Sequence, residues 1–378
     1  MGSLTTHERI AITHDYLDQY GGAERTVLAM CDHLRTAPLY TSVYDRGIMR
    51  RLGFTEPAQP INVSFMQGLP FRHHVPRYYF TWLYPIAFRS FDLSSYDVVV
   101  SSATFAAKAV TVRDDALHIC YCYTPPRFLW DFDSDTAARD MPPHERPLAA
   151  AARLTLRKID HQAAQRVNLF LAASCAVATR IRSVYGRDAV VVYPPVDTAR
   201  FVARPHDDGF LLVCSRLNAY KRIDYVIDAC NEAGLPLVIV GTGPWSARLR
   251  ARAGPTVRLI GAVPDAEVER LMAACTAFVL PGEEDFGIAA VEAMAAGKPV
   301  VALRRGGAVE TVVDGVTGVL YDDPIPGAFL AAIDRLTATR WDADASRAQA
   351  QRFDRERFDQ RLDDAIALAV RQGPGVFH

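Results

Sequence analysis

Two carboxylates eight positions apart, Glu284 and Glu292, stand in the run FVLPGEEDFGIAAVEAMAAGKPVVAL at 278–303. An ionised carboxylate only accepts hydrogen bonds, so such a pair suits a ligand rich in hydroxyls. The surrounding pattern predicts a short buried strand at 278–281, a loop over 282–287 and a helix over 288–296 closed by Gly297. A further buried strand follows at 299–303, which makes a strand–helix–strand unit with a parallel crossover. Ligands of such units gather beyond the carboxyl ends of the strands, where the loop Glu284-Asp285-Phe286-Gly287 lies. The amides of Phe286, Gly287 and Ile288 open the helix and favour a phosphate. Glu292, about a turn further in, can reach back to vicinal hydroxyls such as those of a ribose, and Glu284 is placed to meet a sugar. An acidic loop before a helical glutamate is also an ordinary solvated face. The two residues alone leave both readings open.

A second set of groups lies upstream. FLLVCSRLNAYKRIDYVIDAC at 210–230 predicts a strand ending at Ser215, after which Arg216 and Lys221 stand five apart in a loop leading into a helix. Two cations at a strand's carboxyl end fit a diphosphate and the charge it gains as a leaving group. Lys221 also reads as a surface lysine at a helix start, although its charge would oppose the helix dipole there. Near the beginning of the chain, ITHDYLDQYGGAERTVLAMCDHL predicts a strand at 10–13 and a helix from about 23, with Gly21 and Gly22 at the turn. Paired glycines bring backbone amides close to a phosphate. Without the three-glycine dinucleotide fingerprint, the pair is equally an ordinary βα turn. VIVGTGP at 238–244 sets Gly241 after another strand, and VRLIGAVPDAEVERL at 257–271 ends a strand just before Ala262 and Val263.

The whole string around Glu284 resembles the signature of the family-4 retaining glycosyltransferases of the GT-B fold: a glutamate, FG, a second glutamate eight residues on, then AMA-x-G-x-PV. The resemblance covers nearly the whole chain and is weakest at 45–95. It implies an α/β protein of two Rossmann-like domains whose parallel sheets face each other across an active-site cleft. It gives Arg216 and Lys221 the leaving diphosphate, sets the GGAER loop facing the donor diphosphate, and has the loop of Ala262 and Val263 meet the nucleotide base through backbone groups. Glu284, Arg216 and Lys221 are then the expected catalytic residues. Gly21, Gly22, Gly241, Ala262, Val263, Asp285, Phe286, Gly287, Ile288 and Glu292 join them in donor binding. Retention in this family is described as front-face attack, in which the donor phosphate helps deprotonate the acceptor, so no enzymic nucleophile and no cofactor is implied. The EDFG and SRLNAYKR strings look most like mannosyltransferases of surface-polysaccharide assembly. That points to GDP-mannose as donor, with a UDP-hexose as the alternative, and to a glycan, lipid-linked or small-molecule hydroxyl as acceptor. A rival of another class is a nucleotide-sugar-binding partner subunit without activity.

Three stretches depart from the pattern or fall outside it. HICYCYTPPRFLWD at 118–131 resembles a segment with histidine where this chain has Tyr123, and in relatives that histidine lies beside the transferred sugar. A phenol donates a hydrogen bond but stays neutral near pH 7, so Tyr123 is the sugar-side or acceptor-side candidate without imidazole chemistry. Asp131, Asp133 and Asp135 imitate a metal-binding DxD, yet the resemblance assigns the metal's task to Arg, Lys and amides. Metal independence is therefore expected. Between Glu56 and Asp92 there is no acid, while Arg72, Arg77 and Arg89 lie among eight aromatic residues. That composition over 71–91 suits a peripheral membrane contact, and it suits a buried core flanked by surface arginines equally well.

Composition fits this reading. The 378 residues suffice for two domains, with half of them hydrophobic and 22% charged. The formal net charge is −1, so nothing favours nucleic acid. The first 200 residues carry 22 Lys and Arg against 19 Asp and Glu, and the remainder 20 against 24. Seven scattered cysteines match neither a redox nor a zinc spacing and read as reduced thiols of a cytoplasmic protein. No run of about 18 apolar residues and no hydrophobic leader is seen, so any membrane contact would be peripheral, at the inner face. Short apolar runs alternate with helical patterns throughout, as parallel sheets covered by helices require. The prolines in VVVYPPVD at 190–197 suggest a stiff linker. The division expected is 1–194 for the acceptor-side domain and 195–352 for the nucleotide-sugar domain. Residues 353–378, apolar at 358, 362, 366 and 369, form a last helix that by the resemblance crosses back to the first domain.

Overall fold

In a computed structural model, residues 9–51, 53–69, 77–130, 146–204 and 206–375 are described. Among them the apolar runs form two wholly parallel sheets. The first holds β1 (Ile10–His14), β2 (Leu39–Thr41), β3 (Ile61–Val63), β4 (Val98–Ala103), β5 (Leu117–Cys122), β6 (Leu169–Ala172) and β7 (Ala189–Val191), in the order β3-β2-β1-β4-β5-β6-β7. Every residue of β4 and β5 is buried. Burial on both faces explains why these strands do not alternate, although buried Ser101, Ser102 and His118 interrupt their apolar runs. β1 pairs with β2 on one side and β4 on the other, so successive connections leave to opposite sides at β1. That reversal is the topological switch point of a doubly wound sheet, and it opens a crevice at the strands' carboxyl ends.

The second sheet repeats the logic. It contains β8 (Leu211–Cys214), β9 (Leu237–Val240), β10 (Val257–Gly261), β11 (Ala277–Leu280), β12 (Val300–Leu303) and β13 (Gly318–Tyr321), ordered β10-β9-β8-β11-β12-β13. Its switch point lies between β8 and β11, the two strands that lead into the Arg216–Lys221 loop and the Glu284 loop. The chain divides into one unit of residues 1–193 with 358–378 and another of residues 194–357. Four helices matter below: α1 (Gly22–His33), α2 (Ile223–Ala233), α3 (Ile288–Ala295) and α4 (Arg355–Gln372). Phe358, Leu362, Ala365, Ile366 and Ala369 of α4 are buried in the first unit's core, where Phe358 meets the Tyr121 ring edge-on at 6.0 Å.

The aromatic segment at 71–91 divides between its two readings. Residues 70–76 lie outside the described residues. Beyond them Tyr84 and Phe88 are core residues, and Tyr84 meets Phe105 at 6.2 Å. Trp82 and Ile86, four positions apart, are 57% and 49% exposed. The seven cysteines form no disulfide, and burial pushes the thiols of Cys31, Cys120, Cys230 and Cys275 up to about 12.

Candidate active site

At the second unit's switch point two charged side chains meet. β8 runs out through Arg216 into a single 3-10 turn, Ala219–Lys221, and then α2. β11 runs out through Pro281 into the acidic loop and then α3. The Lys221 ammonium donates to Glu284 Oε1, and the two side chains are 13% and 17% exposed. Lys221 also sits 4.9 Å from the centroid of the Tyr220 ring. Burial alone would favour a neutral lysine, but Glu284, Tyr220 and Asp285 together outweigh it and hold its pKa above the ordinary value. The ammonium is therefore charged at neutral pH and rests on the Glu284 side chain.

Several groups hold the two loops in register. Tyr225 on α2 donates to Pro281 O at 2.7 Å and meets the Tyr321 hydroxyl at 2.6 Å, both rings being buried. The Gly307 amide donates to Glu284 O at 2.8 Å, and Glu284 and Gly306 form a parallel bridge. A Cβ on Gly282 would stand 2.6 Å from Tyr220 O and 2.8 Å from Lys221 Cα, and one on Gly307 would stand 2.3 Å from Phe286 Cα. Backbone thus lies against backbone on both sides of Glu284, which only glycine permits. Arg222, directly after Lys221, is the non-glycine residue with positive φ (51°) among those described. Strain of that kind persists only where its surroundings enforce it. Nothing in the sequence reading assigned this task to Gly282, Tyr225, Gly306, Gly307 or Tyr321. The one signal available was the Gly306–Gly307 pair itself.

The other expected residues are distributed as follows. Arg216 is exposed on the same loop as Lys221. Glu292 is buried on α3, within electrostatic reach of Arg200, whose guanidinium also pairs with Glu269 at 2.6 Å and Asp265 at 3.2 Å. Phe286 is buried against Phe353 at 5.3 Å, and Gly287 (φ 93°) starts α3, followed by Ile288. Gly241 donates its amide to Gly261 O at 2.8 Å, while Ala262 and Val263 follow the end of β10 with Ala262 exposed. In the first unit Gly21 is the extended N-cap of α1, with no side chain capping the helix, and Gly22 is its first residue. Among the described residues no three of His, Cys, Asp and Glu come together as a metal-ligand set. Asp131, Asp133 and Asp135 lie outside the described residues.

Tyr123 has partners that the sequence did not reveal. Its hydroxyl donates to Ala23 O at 2.9 Å and meets Ser102 Oγ at 2.8 Å, and burial pushes its pKa up. A phenol has one proton, and Ala23 O takes it. The donated hydrogen bond expected for a sugar is thus already in use within the unit, where it ties β5 to the first turn of α1. Two neighbours at the same switch point were also missed. Asp15 accepts from Thr104 Oγ1 and from the amides of Thr104, Phe105, Ala106 and Ala107, all at 2.7–2.9 Å, and so fixes the loop after β4. His14, the last residue of β1, meets Ser102 Oγ through Nδ1 at 2.9 Å. The string ITHDY at 12–16 carried no spacing that would have marked either residue.

Comparison with known proteins agrees with this geometry. Residues 20–200 match the model "Glycosyltransferase Family 4" and residues 197–354 the model "Glycosyl transferases group 1". The chain belongs to the family-4 glycosyltransferases of GT-B type. Among curated relatives, a D-inositol 3-phosphate glycosyltransferase of Thermobifida fusca is 31% identical over 221 residues, covering 52% of this chain and 50% of that one. A GDP-mannose-dependent alpha-(1-6)-phosphatidylinositol monomannoside mannosyltransferase of Mycolicibacterium smegmatis is 32% identical over 219 residues, covering 50% and 56%. The chain thus spans about half the length of the curated relatives it matches. Among solved structures, HepE of Anabaena in complex with UDP and glucose superposes with a TM-score of 0.67 at 21% identity, over 96% of this chain and 100% of that one. Sucrose-phosphate synthase of Thermosynechococcus elongatus gives 0.68 at 16% identity, over 97% and 99%. At these identities the likeness is one of fold.

Proposed function

We propose that the protein is a retaining, metal-independent hexosyltransferase that moves a sugar from a nucleoside-diphosphate donor to a hydroxyl acceptor. The observation that carries the reading is the Lys221–Glu284 pair, held by α2, Tyr225 and the glycine contacts at a switch point. A donor diphosphate would take Lys221 from Glu284, freeing the carboxylate to accept from hydroxyls of the transferred sugar. Arg216 and the opening amides of α3 would add positive potential as the phosphate bond breaks. The acceptor oxygen then attacks the anomeric carbon on the face that the nucleoside diphosphate leaves, and a donor phosphate oxygen takes the acceptor's proton.

GDP-mannose is the first donor and a UDP-hexose the second. The mannosyltransferase relative supports the former, and the UDP complex of a structural neighbour keeps the latter in play. The acceptor class is a glycan, lipid-linked or small-molecule hydroxyl. A thermal-shift screen against GDP-, UDP- and dTDP-sugars tests the donor, since a ligand bound to the native state raises Tm. The expected result is a shift with GDP-mannose, equal in EDTA and in magnesium. No shift with any nucleotide sugar overturns the transferase reading, and one that needs a divalent ion overturns metal independence.

The two glutamates should separate in binding. Glu292→Gln is expected to weaken free nucleoside diphosphate by about three- to tenfold, the loss of a hydrogen bond to ribose. Glu284→Gln should leave that affinity within about twofold and reduce turnover, because its partner is the sugar. Equal losses of nucleoside-diphosphate affinity would show the roles wrongly divided.

Exposed Trp82 and Ile86, in a segment free of acids, support a peripheral contact with an anionic membrane. Among the described residues no helix is long and apolar enough to cross a membrane. Co-sedimentation with vesicles containing anionic lipid should fall when both residues are changed to serine. Unchanged co-sedimentation would remove this surface from consideration.

A further inference from the structure

The first unit's switch point holds two buried hydrogen-bond acceptors that no described residue satisfies. His14, Ser102 and Tyr123 stand side by side at the carboxyl ends of β1, β4 and β5 and form a continuous chain of hydrogen bonds to Ala23 O. The direction of that chain follows from counting protons. Ala23 O can only accept, so Tyr123 donates to it. The phenol has then no proton left, so Ser102 must donate to Tyr123. Ser102 in turn has none left for His14, and His14 must donate from Nδ1. The imidazole is thereby fixed as the Nδ1–H tautomer, and Nε2 presents a lone pair.

That Nε2 is buried and without a hydrogen-bond partner among the described residues, and so is Glu24 Oε2. His14 and Glu24 are 2% and 1% exposed. Glu24 Oε1 accepts from Gln19 Nε2 at 3.1 Å, which leaves the second oxygen as an acceptor. Glu24 lies within electrostatic reach of both His14 and Tyr123. Burial lowers the pKa of His14 against the pull of Glu24 and Asp15, which agrees with a neutral ring. Leaving a buried acceptor unpaired is costly, so two together at a switch point call for a partner that brings donors.

We propose that His14 Nε2 and Glu24 Oε2, beside the Gly21–Gly22 turn, form a subsite that accepts hydrogen bonds from two neighbouring hydroxyls of a carbohydrate. The assignment rests on the transferase reading for its role, and the hydroxyls belong either to the transferred sugar or to the acceptor. His14→Asn keeps a donor near the Nδ1 position for Ser102 while removing the Nε2 acceptor, and Glu24→Gln keeps the shape while turning one acceptor into a donor.

The experiment combines a spectroscopic and a binding readout on the full chain. In 15N-histidine spectra, the signal lost in His14→Asn should show the Nδ1–H tautomer. An Nε2–H tautomer would overturn the proposal by itself. Affinities are then measured for GDP and GDP-mannose, and for UDP and UDP-glucose, together with donor hydrolysis by water. If the subsite holds the transferred sugar, each variant narrows the gap between nucleotide sugar and nucleoside diphosphate by about three- to tenfold, with nucleoside diphosphate unchanged. If it holds the acceptor, both affinities stay and hydrolysis falls by a similar factor. Unchanged affinities and hydrolysis in both variants would mean that a resident water satisfies the pair, and would overturn the proposal. Should His14→Asn fail to fold, Glu24→Gln decides alone. A wild-type protein that neither binds nor hydrolyses any nucleotide sugar overturns the transferase reading and the subsite's role with it, and the tautomer still reports separately on the hydrogen-bond chain.

Discussion

Lys221→Ala should lower donor turnover by about 10²–10³-fold while the protein stays folded, the loss typical of removing a preorganised charge stabiliser. The argument starts from the ion pair. Lys221 is held on Glu284 in a largely buried corner, so no solvent ion can easily replace it. Removing the ammonium leaves Glu284 unpaired and negative where a diphosphate should bind, which adds repulsion to the lost attraction. Two further variants separate these effects. Lys221→Ala combined with Glu284→Ala should bind free nucleoside diphosphate more tightly than Lys221→Ala alone, because the repulsion is gone, yet turn over no faster. Lys221→Arg keeps the charge but replaces a compact ammonium with a planar fork, and it should recover only part of the rate. Alanine at 221 with turnover near the wild-type value would remove the lysine from the site. If the double variant bound nucleotide no better than the single one, Glu284 would not be the neighbour that matters.

How much of this was legible in the chain depends on what kind of contact each residue makes. β4, β5, β8, β9, β11 and β12 were readable because strands buried on both faces are predominantly apolar, with Ser101, Ser102 and His118 as exceptions, and burial leaves its mark on composition. β2, β3 and β7 have three residues each, too few for any period to show, and β3 and β7 sit at the sheet's edges, where propensity is weakest. β13 is four residues long and begins with Gly318, which weakens its strand signal. In the site, Glu284 and Lys221 were found because their charge and their place after a strand both speak of ligands. Their meeting in an ion pair was not, since it depends on a β8–β11 adjacency that no local pattern encodes. Tyr225, Tyr321 and His14 were missed for a related reason. Each acts through one polar atom, on a ring that otherwise reads as ordinary core, and the partners are carbonyls or hydroxyls far away in sequence. Tyr123 shows the converse case. A departure from a motif drew attention to a sugar contact, while its proton goes to Ala23 O.

Gly282→Ala should cost as much activity as many changes to charged residues, although the added group is one methyl. The Cβ would fall 2.6 Å from Tyr220 O, 2.8 Å from Lys221 Cα and 2.9 Å from Lys221 C, all of it backbone, so no flexible side chain can move aside. One of the two loops must shift by roughly half an ångström or more. Neither shifts freely: Pro281 O is held by Tyr225, Glu284 O by Gly307, and Arg222 already occupies a left-handed conformation at the end of the lysine loop. The strain therefore divides between overpacking, on the order of 1–3 kcal/mol of stability, and separation of Lys221 from Glu284. A displacement approaching 1 Å at a reacting centre can cost about 10²-fold, and the expected loss in turnover is of that order. Alanine at Gly327, where nothing lies within 4 Å and the glycine is helical, is the control for adding a methyl as such, and it should leave both Tm and turnover near their wild-type values. The discriminating measurement is turnover under conditions where Gly282→Ala is fully folded, checked by its Tm. A folded variant with near-normal turnover would show that the pair tolerates displacement, and that the close approach of the two loops serves packing rather than the alignment of charge.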